Sequence, residues 1–348
     1  MRVPGWAIAA AWCVQVAVAP TAWALNAGAA SPDGKLFVTG GDGRALYVYD
    51  TGTWEITKRL WLGARVQTLA FTPDGGQCIV GMDQGLTWIL DTGKWEKTRE
   101  LQRLDNLAVA RTAPVAVSTV NKWSGGKANG VVRVWSTADW STTKEIPLGE
   151  GLGPDMAAIA ADGKTAFVRT SRIDAPDEAK ADPGPEPKDS AEKNLWRERK
   201  DGKATAMLVV DLDQGTVAKT VVCFDTTGMC RLYPVPSGVM VVSYNQYHAL
   251  WSLADNSYTP TITKQFAYGS GQSVSGEVYM GALRSYLVLS PEGKEVVKKE
   301  AGKLPGFPEY FRCFAPLGEG LVVGVTDANR LIVIDAKTHE VVKEVNCY

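Results

Sequence analysis

The chain has 348 residues, of which 45% are hydrophobic and 22% charged; this composition excludes a disordered or fibrous protein and allows either two domains or one large modular fold. The 37 Lys and Arg residues balance 38 Asp and Glu residues, so no strong field attracts nucleic acid or an anionic membrane, and we expect neither as a partner. The only histidines, His248 and His339, are too few for a His-rich metal site.

The first 24 residues differ from the rest of the chain. Arg2 precedes an apolar run over residues 6–18, and Ala22-Trp23-Ala24 has the small-x-small pattern of a signal-peptidase site. We therefore expect a signal peptide over residues 1–24 and a periplasmic or secreted mature chain over residues 25–348. A buried N-terminal helix is the alternative. No later stretch is apolar enough for an integral membrane segment.

Five cysteines follow the predicted signal peptide. In an oxidising compartment the natural pair is Cys223 with Cys230, because the six residues between them can turn the chain back. The alternative is that these residues are buried as small hydrophobes. No Cys-x-x-Cys pair occurs, which disfavours covalent haem and the common zinc frameworks, so we expect no metal and no cofactor.

A repeat of about 40 residues runs through the mature chain. Seven short apolar runs each end in Asp or Ser, at positions 50, 91, 136, 211, 252, 290 and 335. One interval is longer, and its excess matches a polar, Pro-rich insert over residues 171–203. The underlying period is that of a four-stranded propeller blade.

Two turn motifs recur in several of the repeats. Pro-Asp-Gly or Asp-Gly occurs at residues 32–34, 73–75 and 162–163, and Asp-Thr-Gly-x-Trp or a variant occurs at residues 50–54, 91–95 and 136–140. Glycine supplies the positive φ of a tight hairpin, and Asp caps its own backbone two residues on. We therefore interpret Asp50, Asp91, Asp211 and Asp335 as turn caps rather than catalytic carboxylates, and the repeated tryptophans as packing between blades.

Residues 323–335 resemble a repeat of the YVTN-type propellers, and residues 130–135 resemble a strand of a WD40 repeat. The resemblance covers the mature chain and implies an all-β fold, a seven-bladed β-propeller of four-stranded blades, with residues 171–203 as a loop insert in blade four. Blade six is the least regular repeat, and six or eight blades remain alternatives. The first and last repeats each supply their own four strands, so we expect ring closure without an interlaced strand.

Propeller topology places the long connections on one face, where loops carry recognition residues. We expect the end of the insert to form a helix with Ser190 as its N-cap and with Trp196 at an interface. The alternative is that the insert is a solvated lid. The candidate binding residues on this face are Trp123, Trp196, Arg197, Arg199, Tyr244, Asn245, Tyr247, His248 and Tyr310. We expect His339, in the last hairpin, to be exposed.

Three function classes fit these observations. A noncatalytic scaffold that binds another protein is favoured because the sequence shows no catalytic constellation. The YVTN resemblance also implies a second class, the propeller subunit of a quinone-cofactor amine dehydrogenase, which leaves redox chemistry to its partner. The third class is a lactonase-like or lyase-like propeller enzyme with a metal in its channel. Two histidines and no visible ligand cluster disfavour this class.

Overall fold

The computed structural model describes residues 25–124, 127–177, 180, 182–224, 230–244, 246–301 and 309–347, without the side chains of residues 123 and 124. These residues form seven antiparallel sheets arranged in a ring, one for each sequence repeat. The predicted all-β, seven-bladed propeller is therefore confirmed. The predicted signal peptide, residues 1–24, lies outside the described residues.

Each blade is a meander of consecutive strands. Blades one to three contain β1 (Leu25–Ala30), β2 (Leu36–Gly41), β3 (Ala45–Asp50), β4 (Ile56–Trp61), β5 (Val66–Phe71), β6 (Gln77–Met82), β7 (Leu86–Asp91), β8 (Glu96–Gln102), β9 (Asp105–Val109), β10 (Val115–Ser124), β11 (Lys127–Ser136) and β12 (Thr142–Glu150). Blade four contains β13 (Pro154–Ile159), β14 (Thr165–Thr170), β15 (Ile173–Asp174), α1 (Ser190–Lys200), β16 (Lys203–Asp211) and β17 (Thr216–Cys223). Blades five to seven contain β18 (Cys230–Val235), β19 (Gly238–Ser243), β20 (Tyr247–Ser252), β21 (Tyr258–Ile262), β22 (Gly269–Gln272), β23 (Val278–Gly281), β24 (Ser285–Leu289), β25 (Glu295–Glu300), β26 (Phe311–Leu317), β27 (Leu321–Thr326), β28 (Arg330–Asp335) and β29 (Val341–Asn346).

The ring closes by side-chain packing between its first and last blades. The inner strand β1 lies beside β26, and both blades consist of consecutive strands, so no strand in the described part of the chain is interlaced, as expected. Leu25, Phe37 and Tyr49 of blade one share a hydrophobic cluster with Val325 and Leu331 of blade seven. Burial of this apolar surface stabilises the closed ring by about 25 cal/mol per Å². In a ring with an interlaced strand, backbone hydrogen bonds would supply this stabilisation.

The hairpins form as the sequence predicts. Gly34, Gly75 and Gly163 have φ values of 70°, 72° and 73°, the left-handed region that glycine adopts without cost. At the second hairpin, the Asp50 carboxylate accepts hydrogen bonds from the backbone of Gly52 and Thr53, both at 2.9 Å. Equivalent caps from Asp91, Asp211 and Asp335 confirm that these carboxylates stabilise turns.

The last residue of the Asp-Thr-Gly-x-Trp hairpin adopts a left-handed conformation that the sequence pattern does not reveal. Trp54, Trp95, Trp140 and His339 have φ values between 54° and 64°. Non-glycine residues enter this region at a cost of about 1–2 kcal/mol, which their packing must offset. His339 is only 7% exposed and contacts the Tyr279 hydroxyl at 3.1 Å, so the expectation that it is exposed was wrong.

The inner strand of blade six lies very close to the neighbouring blade. This strand, β22, contains Gly269 and Gly271, and a Cβ at Gly271 would lie 1.9 Å from the carbonyl oxygen of Phe314 on β26. Only glycine permits this approach of two backbones. The Gly/Ser-rich sequence that makes this repeat irregular is therefore a packing requirement of a complete four-stranded blade.

The insert in blade four continues a β-hairpin and then forms a helix. The short strand β15 pairs with the first residues of β16, and the Ala175 backbone donates to the Gly202 carbonyl at 2.8 Å. Helix α1 is present, but its N-cap is Asp189, whose carboxylate accepts from the backbone of Ala191 at 2.8 Å. Assigning Ser190 as the cap was wrong by one residue, because the carboxylate of Asp189 satisfies the free backbone donors of the first turn.

Within the described ranges, no helix combines the length and apolarity needed to cross a membrane.

Candidate functional site

The two faces of the ring differ in the length of their connections. The turns that join first to second and third to fourth strands are tight hairpins, and they lie on one face. The opposite face, which we term the long-loop face, carries the other connections. There β10 and β11 extend their pairing to Ser124 and Lys127, and residues 171–202 carry α1.

The central channel opens into a cavity of about 710 Å³ at the long-loop face. Every inner strand starts at this face, and the second residue of most inner strands contributes a polar side chain to the lining. These side chains belong to Asn26, Gln67, Asn106, Arg231, Ser270 and Arg312. At the other end, Arg111 on the β9–β10 turn contacts the carbonyl of Val274 on the β22–β23 turn, at 3.5 Å. Because blades three and six are not adjacent, this side chain crosses the tight-turn end of the channel.

Four aromatic side chains lie together at the mouth of the cavity, and we term them the aromatic cluster: Tyr244, Phe266, Tyr268 and Tyr310. The Tyr268 ring centroid lies 5.3 Å from that of Tyr244 and 4.4 Å from that of Tyr310. Phe266 packs 5.3 Å from Tyr244 and is 41% exposed. Offset or edge contacts at these distances are favourable for aromatic rings. The structure thus joins rings from blades five, six and seven into one partly exposed surface.

The sequence predicted two members of the aromatic cluster and missed two. Tyr244 and Tyr310 were candidates, and Tyr268 connects them. Phe266 and Tyr268 precede β22, whose irregular sequence concealed where blade six begins. The connection from the fourth strand of one blade to the first of the next always lies on the long-loop face, so this rule would have found both residues once β22 was located.

Hydrogen bonds and charges fix the cluster to the strands beneath it. Asp327 accepts from the Tyr310 backbone at 2.8 Å and pairs with the Arg312 guanidinium at 3.0 Å. Burial, reinforced by the adjacent Tyr244 hydroxyl, raises the pKa of Tyr268 above its usual value, so this phenol stays protonated at neutral pH. The surface therefore presents the neutral Tyr268 hydroxyl near the Arg312 guanidinium.

Two other candidates of this segment are buried between blades. Tyr247 is 1% exposed and His248 is 3% exposed. The Nε2 atom of His248 donates to the Gly293 carbonyl of blade six at 2.8 Å. Burial lowers the pKa of His248, so the ring is neutral at pH 7. The structure places His248 in the packing of blades five and six and buries Tyr247 as well, so neither side chain lies on the surface for which it was proposed.

The candidates in the insert lie on α1. The Trp196 indole donates to the Gly184 carbonyl at 2.9 Å, and the Lys200 ammonium lies 4.7 Å from the ring centroid. Trp196 is therefore partly buried against its own insert, whereas Arg197 and Arg199 are exposed. Of the remaining candidates, Asn245 and the side chain of Trp123 lie outside the described residues.

The predicted disulfide partners border the start of blade five. Cys223 ends β17 and Cys230 begins β18; both side chains are buried and belong to one hydrophobic cluster. Residues 225–229 between them lie outside the described part. The pairing stays a prediction. Among the described residues, no three His, Cys, Asp or Glu side chains are grouped as around a metal ion.

Comparison with known proteins supports the fold alone. No protein-family model matches the chain, and no curated protein matches it. A solved structure of hydrazine synthase from Kuenenia stuttgartiensis is similar, with a TM-score of 0.64 and 14% sequence identity over 93% of this chain and 99% of that chain. This neighbour has the propeller fold, and no family match confirms the YVTN or WD40 resemblance.

Proposed function

We propose that this propeller is a periplasmic or secreted, noncatalytic scaffold that binds another protein through its long-loop face. The observation that carries the proposal is the aromatic cluster, because it exposes apolar rings on a face that also carries the extended loops. Phe266 is 41% exposed, and Leu283, on the neighbouring connection of blade six, is 46% exposed. Aromatic residues with apolar neighbours form the energetic centres of protein interfaces.

The projecting segments of the same face enlarge the proposed surface. The β10–β11 hairpin and α1 rise on blades three and four, and the aromatic cluster occupies blades five to seven. Arg197 and Arg199 are exposed and provide fixed positive charges of the kind enriched at interfaces. A partner that contacts both regions would cover the mouth of the channel.

The first test replaces a single exposed ring. Mature protein and a Phe266→Ser variant are used to capture partners from the native host, with Trp61→Ser as the matched control. Trp61 is 66% exposed but lies on the outer strand β4, away from the cluster. We expect Phe266→Ser to weaken capture at least about tenfold, as for an interface hot spot, and Trp61→Ser to leave it unchanged. Equal loss in both variants, or in neither, contradicts the proposed surface.

The second test removes α1. Residues 176–201 are replaced by a short Gly/Ser turn, because Ala175 and Gly202 are already joined by a backbone hydrogen bond. Loop shortening changes closure entropy only slowly, so the thermal transition should persist. Capture should fall if the insert belongs to the surface. Full capture by the deletion confines the binding surface to blades five to seven.

The proposed location has its own tests. N-terminal sequencing of exported protein should find Leu25 as the first residue, and retention of Met1 would contradict the signal peptide. A peptide map without reductant should link the peptides that contain Cys223 and Cys230, as expected in an oxidising compartment. Separate peptides would show that the two residues are buried without a bond.

A second candidate function is a component of a redox enzyme. The structural likeness to a hydrazine synthase chain, together with the resemblance to the quinone-cofactor amine dehydrogenase propellers, favours it over the lactonase-like or lyase-like alternative. In this case the captured protein carries a redox cofactor in fixed stoichiometry. Absorption spectra of the purified complex distinguish the two candidates.

A further inference from the structure

The cavity contains more positive than negative charge. Among the described residues that line it are three arginines, Arg103, Arg231 and Arg312, but only one carboxylate, Asp105. Asp105 pairs with Arg103 at 2.6 Å, and Arg312 pairs with Asp327. Arg231 forms no ion pair with any residue that the structure describes; its Nη1 donates to the neighbouring Cys230 carbonyl at 3.0 Å. One guanidinium therefore faces the cavity without a counter-charge from the described chain.

The two inner-strand arginines flank the same sector of the channel. Arg231 is the second residue of β18 and Arg312 the second residue of β26, and β22 lies between these strands. At the corresponding position β22 carries Ser270, whose hydroxyl accepts a hydrogen bond from Tyr233 at 2.8 Å. The small Ser270 leaves the space between the two arginines open.

Aromatic rings border this positive sector. Tyr244 and Tyr268 line the cavity at its mouth, and the Tyr268 ring also contacts Tyr310. A volume of about 710 Å³ falls within the range of small-molecule sites. A planar ligand can lie against the tyrosine faces while its anionic group reaches the guanidinium forks.

We infer that this cavity is a binding site for a small planar organic anion, of the class of aromatic carboxylates. The carboxylate pairs with Arg231 and Arg312, and the ring packs on Tyr268 and Tyr244. Arg231 supplies the main charge, because the guanidinium of Arg312 already shares its charge with Asp327. The inference extends beyond the proposed protein-binding role, since it assigns a small-molecule ligand to the channel; Tyr244 and Tyr268 belong to both sites, whereas Arg231 belongs to the cavity alone.

The first test measures binding of simple probes by calorimetry. The probes are 4-hydroxybenzoate, acetate, which lacks the ring, and benzyl alcohol, which lacks the charge. We expect saturable binding of 4-hydroxybenzoate and at least about tenfold weaker binding of the other two, because each lacks one of the two recognised groups. Absence of saturable 4-hydroxybenzoate binding up to about 10 mM overturns the inference.

The second test assigns the charge to Arg231. Arg231→Gln should weaken 4-hydroxybenzoate binding about 10- to 100-fold, as for the loss of a charge-assisted hydrogen-bonded pair. Arg231→Lys should retain part of the affinity, because it keeps the charge but loses the planar fork. The matched control is Arg59→Gln, an exposed arginine on the outer strand β4.

Equal affinity in Arg231→Gln and unmodified protein overturns the inference, as does an equal loss in Arg59→Gln. An unchanged thermal transition shows that each variant is folded. Partner capture by Arg231→Gln is measured in parallel, so failure of the anion site is distinguishable from failure of the proposed protein-binding function.

Discussion

Replacement of Trp140 by alanine tests whether the hairpin tryptophans hold adjacent blades together. Trp140 is 3% exposed, and its indole donates to the Gln77 side chain of blade two at 2.7 Å. Burial of about 150–250 Å² of aromatic surface at about 25 cal/mol per Å² corresponds to about 4–6 kcal/mol. Alanine also has a Cβ and retains the cost of the left-handed backbone, so relief of strain does not offset the loss. We expect Trp140→Ala to lower the free energy of unfolding by about 3–5 kcal/mol.

The measurement is urea unfolding followed by circular dichroism, with Trp61→Ala as control. Trp61 is 66% exposed, and its removal should change stability by less than about 0.5 kcal/mol. A double-mutant cycle of Trp140→Phe and Gln77→Ala isolates the hydrogen bond, for which we expect a coupling of about 1 kcal/mol. A loss below about 1 kcal/mol for Trp140→Ala refutes the assignment of this residue to inter-blade packing.

Three further predictions concern stability. Gly75→Val should destabilise the protein by at least about 1 kcal/mol, because φ at this position is 72°. Gly320→Val is the control and should cost less, because no atom lies within 4 Å of the added Cβ. Equal melting temperatures of the two variants would contradict the assigned turn. Glu309→Ala should cost about 3 kcal/mol in chemical unfolding, because it removes the bidentate partner that accepts two bonds at 2.8 Å from the buried Arg330 guanidinium, although the more exposed Glu344 still pairs with it. A loss below about 1 kcal/mol would show that the pair is not buried in solution. Burial lowers the pKa of His248 below 6.5, so protonation favours the unfolded chain, and the free energy of unfolding should fall as the pH decreases below about 6.5. His248→Gln should flatten that part of the pH profile of stability. An unchanged profile would show that His248 is not the group responsible.

The repeat pattern predicted the architecture because each blade uses the same local chemistry. Asp-Gly turns, capping carboxylates and alternating apolar strands are encoded within about 40 consecutive residues, and seven copies determine the number of blades. These features depend on φ preferences and on hydrogen bonds between near neighbours in the chain. The one longer interval between repeats predicted the insert in blade four. Its cap was misplaced because Asp189 and Ser190 are both good capping residues.

The candidate site depended on contacts between distant segments, and sequence reasoning found it only in part. Tyr244, Tyr268 and Tyr310 meet because three blades converge at the channel mouth, although the chain separates the outer two residues by 66 positions. Tyr247 and His248 are residue types that also occur at recognition surfaces, yet both are buried because each face of blade five packs against a neighbouring blade. Amino-acid type alone does not distinguish these outcomes.

The sequence by itself therefore determined the all-β class, the seven repeats, the tight turns and the face on which long connections lie, since each follows from short-range backbone chemistry. Only the tertiary structure decided which side chains of that face are exposed, which are buried between blades, and which charges remain unbalanced within the channel. These properties arise from packing between strands that are distant in sequence, where burial and charge pairing depend on the relative positions of whole blades.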